Sequence, residues 1–274
     1  MAPPRPSSPS PPMSCSGSPG PRSPMSSSSV MMVVEQLIRA AVSLRDDVGP
    51  LGDALVAEGT VDSVYNPLEY AWAPHEAFIR RGGGRGAKTL LLGMNPGPHG
   101  MGQMGIPFAA TTVVRELLGI SGLEVGQPRD PHPLRPVNGL AHPREEVSGT
   151  RLWGVLAEYY GTADSIFEHV FLVNHCPLML FSGPRAANIT PDKVAGTTAQ
   201  ALLERCDEHL LEVVGVLGAE RVIGVGKFAE ARARAALAGT AVEIVGCWHP
   251  SPASPLANRN GGADWRANVR AVLP

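Results

Sequence analysis

Four short apolar runs constrain the fold of this chain more than any other feature: KTLLLG from Lys88, HVFLVN from His169, RVIGVG from Arg221 and VEIVGC from Val242. Each reads as a strand buried on both faces. Helical segments are expected between and around them, at Thr112 to Leu118, Gly149 to Tyr160, Asp192 to Leu217 and Lys227 to Leu237. Strand and helix in alternation predict a single-domain, three-layer α/β/α fold whose central four-stranded sheet is mostly parallel and covered by helices on both faces. Ahead of the first strand, Val33, Leu37, Ile38, Ala41 and Leu44 recur three and four residues apart, which predicts a helix from Val30 to about Val48. In NPLEYAWAPHEAFIRR, Asn66 is a candidate N-cap with Pro67 at the first helical position, and Pro74 is expected to break or kink anything longer.

In a parallel sheet of this kind, ligands collect beyond the carboxyl ends of the strands. Three of the four strands run into polar loops there, GMNPGP, NHCPLMLFSG and GCWHPSPASP, which brings Asn95, Asn174 and His249 to one crevice. Each has an ordinary structural reading: Asn before Pro starts turns, Asn174 can cap a following segment, and a lone His249 can be a satisfied core histidine. Taken jointly, three separate loops presenting hydrogen-bonding side chains at the same edge point to a site.

Composition narrows the functional classes. At 274 residues with 43% hydrophobic content the chain can bury a sizeable core, and a net charge of -2 argues against a protein coated in positive charge. Cys15, Cys176, Cys206 and Cys247 lie far apart with no CxxC or Cys/His pairing, so neither a zinc site nor an iron-sulfur cluster is indicated, and no metal or cofactor is expected. A reducing intracellular setting fits best. Residues 1–29 are almost entirely Pro, Ser and Gly and read as a disordered tail, although Met25, Met31 and Met32 are alternative starts; residues 30–274 form the expected domain. With no apolar core for a secretory signal and no run of 18 uncharged apolar residues, a soluble protein without a membrane partner is expected. GVGKFAE lacks the third glycine of a dinucleotide fingerprint and follows the third strand, which sets a Rossmann oxidoreductase aside.

The ordered set VYNPLEYAWAPHEAFIRR, LGMNPGPHGMGQMGIPF, RPVNGLAHPREEVSGTRLWG, NHCPLMLF, NITP, VIGVGKFAEARARAALAG and HPSPASPLANRNGG resembles the single-strand-selective monofunctional uracil-DNA glycosylases over almost everything after the tail. The resemblance implies a uracil-DNA glycosylase-like fold and a metal-free, monomeric base-excision enzyme. Such an enzyme hydrolyses uracil, with 5-hydroxymethyluracil and related oxidised pyrimidines, from single- and double-stranded DNA and leaves an abasic site. It would work in the cytoplasm and nucleoid of a bacterium or the nucleus of a eukaryote. Carried over position by position, it implies that Asn95 holds the attacking water and that His249 faces the departing base. Met94, Gly97, Phe108 and Asn174 would bind the substrate, Phe108 as stacking platform and Asn174 as reader of the uracil edge. Pro250, Ser251, Pro252, Ala253, Asn258 and Arg259 would form the wedge that meets DNA, with Arg266 and Arg270 adding positive charge against Asp264 alone. Three departures stand out: Ala253 where some members carry Arg, the longer NRNGG turn, and His99 where Phe is common. A mismatch-directed uracil or thymine glycosylase and a non-catalytic uracil-DNA binding module are the alternatives.

The residue types suit that chemistry. An amide at position 95 can orient a water but cannot accept its proton as an aspartate would, so expulsion of the base must carry most of the barrier. The Asn174 carboxamide can donate to uracil O4 and accept from N3–H, a pattern that cytosine reverses. No lysine nucleophile is apparent; Lys227, after the GVG strand, reads as a solvated helix start.

Overall fold

The structure, a computed structural model, describes residues 26–274. Ser26 accepts a hydrogen bond from the Ser29 backbone N–H and caps helix α1, Ser27–Ala57. The last residues of the segment expected to be a tail therefore belong to the first helix, and residues 1–25 lie outside the described residues. In chain order there follow β1 Ser63–Tyr65, α2 Pro67–Tyr70, α3 Trp72–Gly82, β2 Thr89–Gly93, α4 Met101–Met104, α5 Val147–Tyr160, α6 Ala163–His169 and β3 Val170–Asn174. The chain continues through β4 Met179–Ser182, β5 Ala187–Ile189, α7 Thr197–Leu217, β6 Arg221–Val225, α8 Lys227–Ala236, β7 Glu243–Cys247, α9 Pro255–Asn258 and α10 Ala263–Arg270.

The predicted sheet is present, with order β3-β2-β6-β7 and every pairing parallel. Leu90, Leu91 and Leu92 are each fully buried, and because successive strand residues point to opposite faces, both faces of β2 are covered. Removing each such side chain from water contributes about 1.5–3 kcal/mol. Expectation and structure part at β7, where Glu243 is exposed and Ile244, Val245 and Gly246 are only half-buried. Among the described residues it is an edge strand with a single neighbour, as β3 is at the other end of the sheet. A second sheet, order β1-β4-β5 and antiparallel, was not anticipated. Its strands are three or four residues long, and β4 lies inside the NHCPLMLFSG segment expected to be a polar loop.

The helices also depart from expectation in places. α1 does not stop near Val48 but continues through Pro50, because apolar residues keep facing inward beyond it: Leu55 is fully buried, and Gly52 lies against Val64 and Leu178. That packing offsets the roughly 3 kcal/mol that an interior proline costs a helix. The expected break near Pro74 occurs at Ala71, which leaves Pro74 in the first turn of α3, where its missing N–H is no loss. The Asn66 cap is as expected, accepting from Leu68 N–H at 3.2 Å with Pro67 following. The helix expected from Asp192 begins only at Thr197, after a 3-10 turn Pro191–Lys193 and Gly196 at φ 109°. The segment expected to be helical at Thr112 to Leu118 contains a single π-helical turn, Val113–Leu117. Helix α6 was missed, although Thr162 caps it by accepting from Ser165 N–H at 3.3 Å.

Among the described residues, α1 is the one helix long and apolar enough to cross a membrane by length and composition. In this fold it packs along α7, with Leu37, Ala40, Ala41, Leu44 and Val48 buried.

Candidate active site

Register builds the site. Gly93 at the end of β2 pairs with Asn174 at the end of β3, so the loop carrying Asn95 starts beside the Asn174 side chain. A Cβ on Gly93 would stand 2.1 Å from Asn174 Oδ1 and 2.7 Å from Phe108 Cε2; only glycine lets the amide and the ring meet over the strand end. Phe108 adopts φ 53°, left-handed backbone that an aromatic residue rarely visits and that costs on the order of 1–3 kcal/mol. That conformation seats the ring against Gly93, on the wall of the cleft.

Asn95 Nδ2 donates to two backbone carbonyls, Leu178 O at 3.4 Å and Ile189 O at 3.3 Å. Carbonyls only accept, so the nitrogen must face them and Oδ1 is the end of the amide left for another partner. Asn174 is buried, and its Nδ2 donates to the Met101 thioether at 3.1 Å. Sulfur is a weak acceptor, which leaves this donor ready for a better one.

His249 lies two residues beyond β7, across β6 from the other groups. Gly226, at the end of β6 with φ 94°, makes the crossing possible: a Cβ there would meet His249 Cβ at 3.1 Å. Trp248 is fixed on both sides, its N–H donating to Asn268 Oδ1 at 2.8 Å and its carbonyl accepting from Trp265 Nε1 at 2.8 Å. His249 Nδ1 accepts from Ser251 N–H at 3.1 Å, so the neutral ring carries its proton on Nε2. Burial lowers the imidazole pKa and favours this neutral donor form.

Met94, Asn95, Gly97, Phe108, Asn174, His249 and Ser251 thus line one cleft of about 200 Å³. Of the expected DNA-contacting residues, Pro250, Pro252, Ala253, Asn258 and Arg259 lie outside it, in a loop that closes on itself. Asn258 Nδ2 donates to Pro252 O at 2.7 Å, and Ala253 N–H donates to Ser251 Oγ at 3.2 Å. Arg151 on α5 clamps that loop, donating to Pro250 O at 3.0 Å and Asn258 Oδ1 at 2.9 Å. The expected positive balance is weaker than the sequence suggested: Arg259 pairs with Asp264, and Arg270 with Glu158, which is distant in sequence.

Sequence reasoning missed Glu146, Ser148, Asn188 and Thr190 on the cleft wall, and Arg151 behind it. Glu146 and Asn188 sit within quoted motifs, EEVSG and NITP, which were the available signal. Glu146 Oε2 lies 2.6 Å from where a Cβ on Gly97 would stand. Burial pushes its carboxyl above the usual range, against the opposing pull of the Ser148 and His99 backbone N–H groups. His99, beside the cleft, stacks on His142 with centroids 5.2 Å apart. Asn138 Nδ2 approaches His142 Nδ1 at 3.3 Å, so His142 donates from Nε2 to His99 Nδ1 at 3.0 Å. Burial, with Arg144 nearby, lowers His99 to about 4, and it is neutral at ordinary pH. Among the described residues no group of three or more His, Cys, Asp or Glu side chains could hold a metal ion.

Comparison with known proteins gives clear relatives. The chain is 45% identical over 218 residues to the single-strand selective monofunctional uracil DNA glycosylase of Bos taurus, covering 78% of this chain and 79% of that protein. It is 46% identical over 215 residues to the Rattus norvegicus protein of that name and 44% identical over 215 residues to the Mus musculus one, in each case covering 78% of this chain and 75% of the relative. The crystal structure of wild-type Pedobacter heparinus SMUG2 aligns with a TM-score of 0.55 at 18% identity, over 76% of this chain and 84% of that one, a likeness of fold. No family model matches the sequence.

Proposed function

This chain belongs to the single-strand selective monofunctional uracil-DNA glycosylases, enzymes of the DNA N-glycosylase type, and from that premise we propose that it hydrolyses uracil from DNA through Asn95 and His249, leaving an abasic site. The observation that carries the reading is the convergence of Asn95, Phe108, Asn174 and His249, from loops after three different strands, on one cleft. The proposed substrates extend to 5-hydroxymethyluracil and related oxidised pyrimidines, in single and double strands, and the proposed working form is an intracellular monomer.

The geometry supports the following chemistry. Extracting a base from the stack costs a few kcal/mol, and stacking on Phe108 recovers part of it. The C1′–N1 bond breaks with its electron pair moving to the uracil ring, so charge grows on O2 while the sugar becomes cationic. His249, neutral with its proton on Nε2, donates to that oxygen, an interaction of the kind worth about 10²- to 10³-fold in rate. Water held at Asn95 Oδ1 then adds its oxygen to C1′, and the proton it loses neutralises the expelled uracil anion, so the products are the abasic sugar hydroxyl and neutral uracil. Asn174 accepts from N3–H and donates to O4, giving up its weak thioether partner. A cytosine ring would face donor against donor, at a cost of about 1–3 kcal/mol.

The test is alkali cleavage of single- and double-stranded uracil oligonucleotides, run with EDTA. Cleavage that EDTA leaves unchanged is expected on both. Tight binding without cleavage would make the protein a binding module, and activity confined to mismatched duplexes would favour the mismatch-directed class.

A further inference from the structure

Asn188 occupies the middle of β5, paired with Phe181 on β4. Its side chain reaches the catalytic loop, with Nδ2 donating to Pro96 O at 3.0 Å. The carbonyl can only accept, so the amide orientation is fixed. The other end of that amide is unusual: Oδ1 is buried and has no hydrogen-bond partner among the described residues. Leaving an acceptor in that condition costs on the order of 1–3 kcal/mol, and unsatisfied buried groups of this kind call for an explanation beyond packing. The neighbouring residue holds the same loop, since Ile189 O accepts from Asn95 Nδ2 at 3.3 Å. Adjacent residues of one short strand therefore grip the Asn95 amide and the carbonyl of the residue that follows it. Asn188 also lines the cleft that Asn95 lines.

We infer that Asn188 is a positioning residue for the hydrolytic step: by holding Pro96 O it fixes the loop so that Asn95 Oδ1 faces the attacking water. The inference rests on the uracil-excision reading. It predicts that Asn188 acts on the chemical step and not on DNA affinity, because its donor is spent on Pro96 O and its acceptor is buried. It also predicts that the donor to Pro96 O, and not the bulk of the side chain, carries the effect.

Single-turnover excision from a single-stranded uracil oligonucleotide, with fluorescence anisotropy for binding, tests this on Asn188→Leu and Asn188→Asp, with melting temperatures to verify folding. The Leu variant is expected to lose about tenfold or more in rate while its Kd stays within about twofold of wild type. In the Asp variant an ionised carboxylate repels Pro96 O, whereas a protonated one donates to it. Its rate relative to wild type at each pH is therefore expected to recover on acidification and fall as pH rises, a profile that a purely structural role would not produce. Should the Leu variant fail to fold, the Asp pH profile alone decides. A flat Asp profile near the wild-type rate overturns the inference while leaving uracil excision intact; an inactive wild type overturns both.

Discussion

Acid should destabilise this protein by an amount that its buried histidines set. His75 and His209 are 8% and 7% exposed, and burial lowers their pKa values from 6.5 to about 4 and about 3. Because the folded values are depressed, the unfolded chain binds more protons below pH 6.5, so stability is complete above that pH and is lost as pH falls towards the folded values. At about pH 5, some 1.5 units below the unfolded value, each residue has cost about 2 kcal/mol at roughly 1.4 kcal/mol per unit, and the pair about 4 kcal/mol. His175 is shifted the same way by burial despite its 2.7 Å bond to Asp207, and adds to the loss. Glu146 works in the opposite direction: its raised pKa stabilises the folded state on acidification. Urea unfolding at about pH 8, 6.5 and 5, at constant ionic strength, measures the sum, and the expected fall is a large fraction of the 5–15 kcal/mol (about) that such domains possess. His209 Nδ1 is buried without a hydrogen-bond partner among the described residues, so His209→Leu should fold and should shrink the fall by about 2 kcal/mol. A wild-type difference under about 1 kcal/mol, or a His209→Leu variant with the same pH dependence as wild type, would refute the reasoning.

Asn95→Ala and His249→Ala should each lower single-turnover rates by about 10²-fold or more while changing DNA affinity little, and near-normal rates in both would dismiss the site. Asn174→Asp replaces a donor by an acceptor of nearly the same size, so the ratio of uracil to cytosine cleavage should fall; an unchanged ratio with full uracil activity would move base reading to another loop. Arg151→Ala frees the loop from Pro250 to Asn258 and should weaken duplex binding more than single-strand binding, with equal effects on the two counting against a wedge.

The parallel sheet was legible because β2, β3 and β6 are buried on both faces, and burial of that kind leaves an unbroken apolar run in the sequence. The same signal misled at β7, where Ile244 and Val245 look like core residues but are only half-buried, although β3 at the opposite edge is covered. The second sheet was invisible for a physical reason: three- and four-residue strands such as SVY and ANI are too short for any alternation to rise above chance, and they are held by their neighbours. α1 beyond Pro50 belongs to the same class, since its continuation depends on Val64 and Leu178, which are remote in sequence.

Within the cleft, the residues that sequence could propose stand at the ends of strands, and those it missed belong to the walls. Asn95 is conspicuous after TLLLG, but nothing local reveals that Leu178 O and Ile189 O orient its amide, because both come from the second sheet or the approach to it. Arg151 likewise looks like a helix-surface cation until the chain returns at Pro250 and Asn258. Phe108 joins the two levels. Its sequence context, GIPFAA, gives no hint of left-handed backbone, and glycine or asparagine would hold φ 53° with less strain. Neither has an aromatic ring, and the bare Cα at Gly93 that receives the Phe108 ring shows its purpose only in the fold, since the sequence marks it simply as the end of a strand. The strained residue and the unsubstituted one are therefore two halves of a single feature, and a side chain at Gly93 should displace the Phe108 ring and the Asn174 amide together.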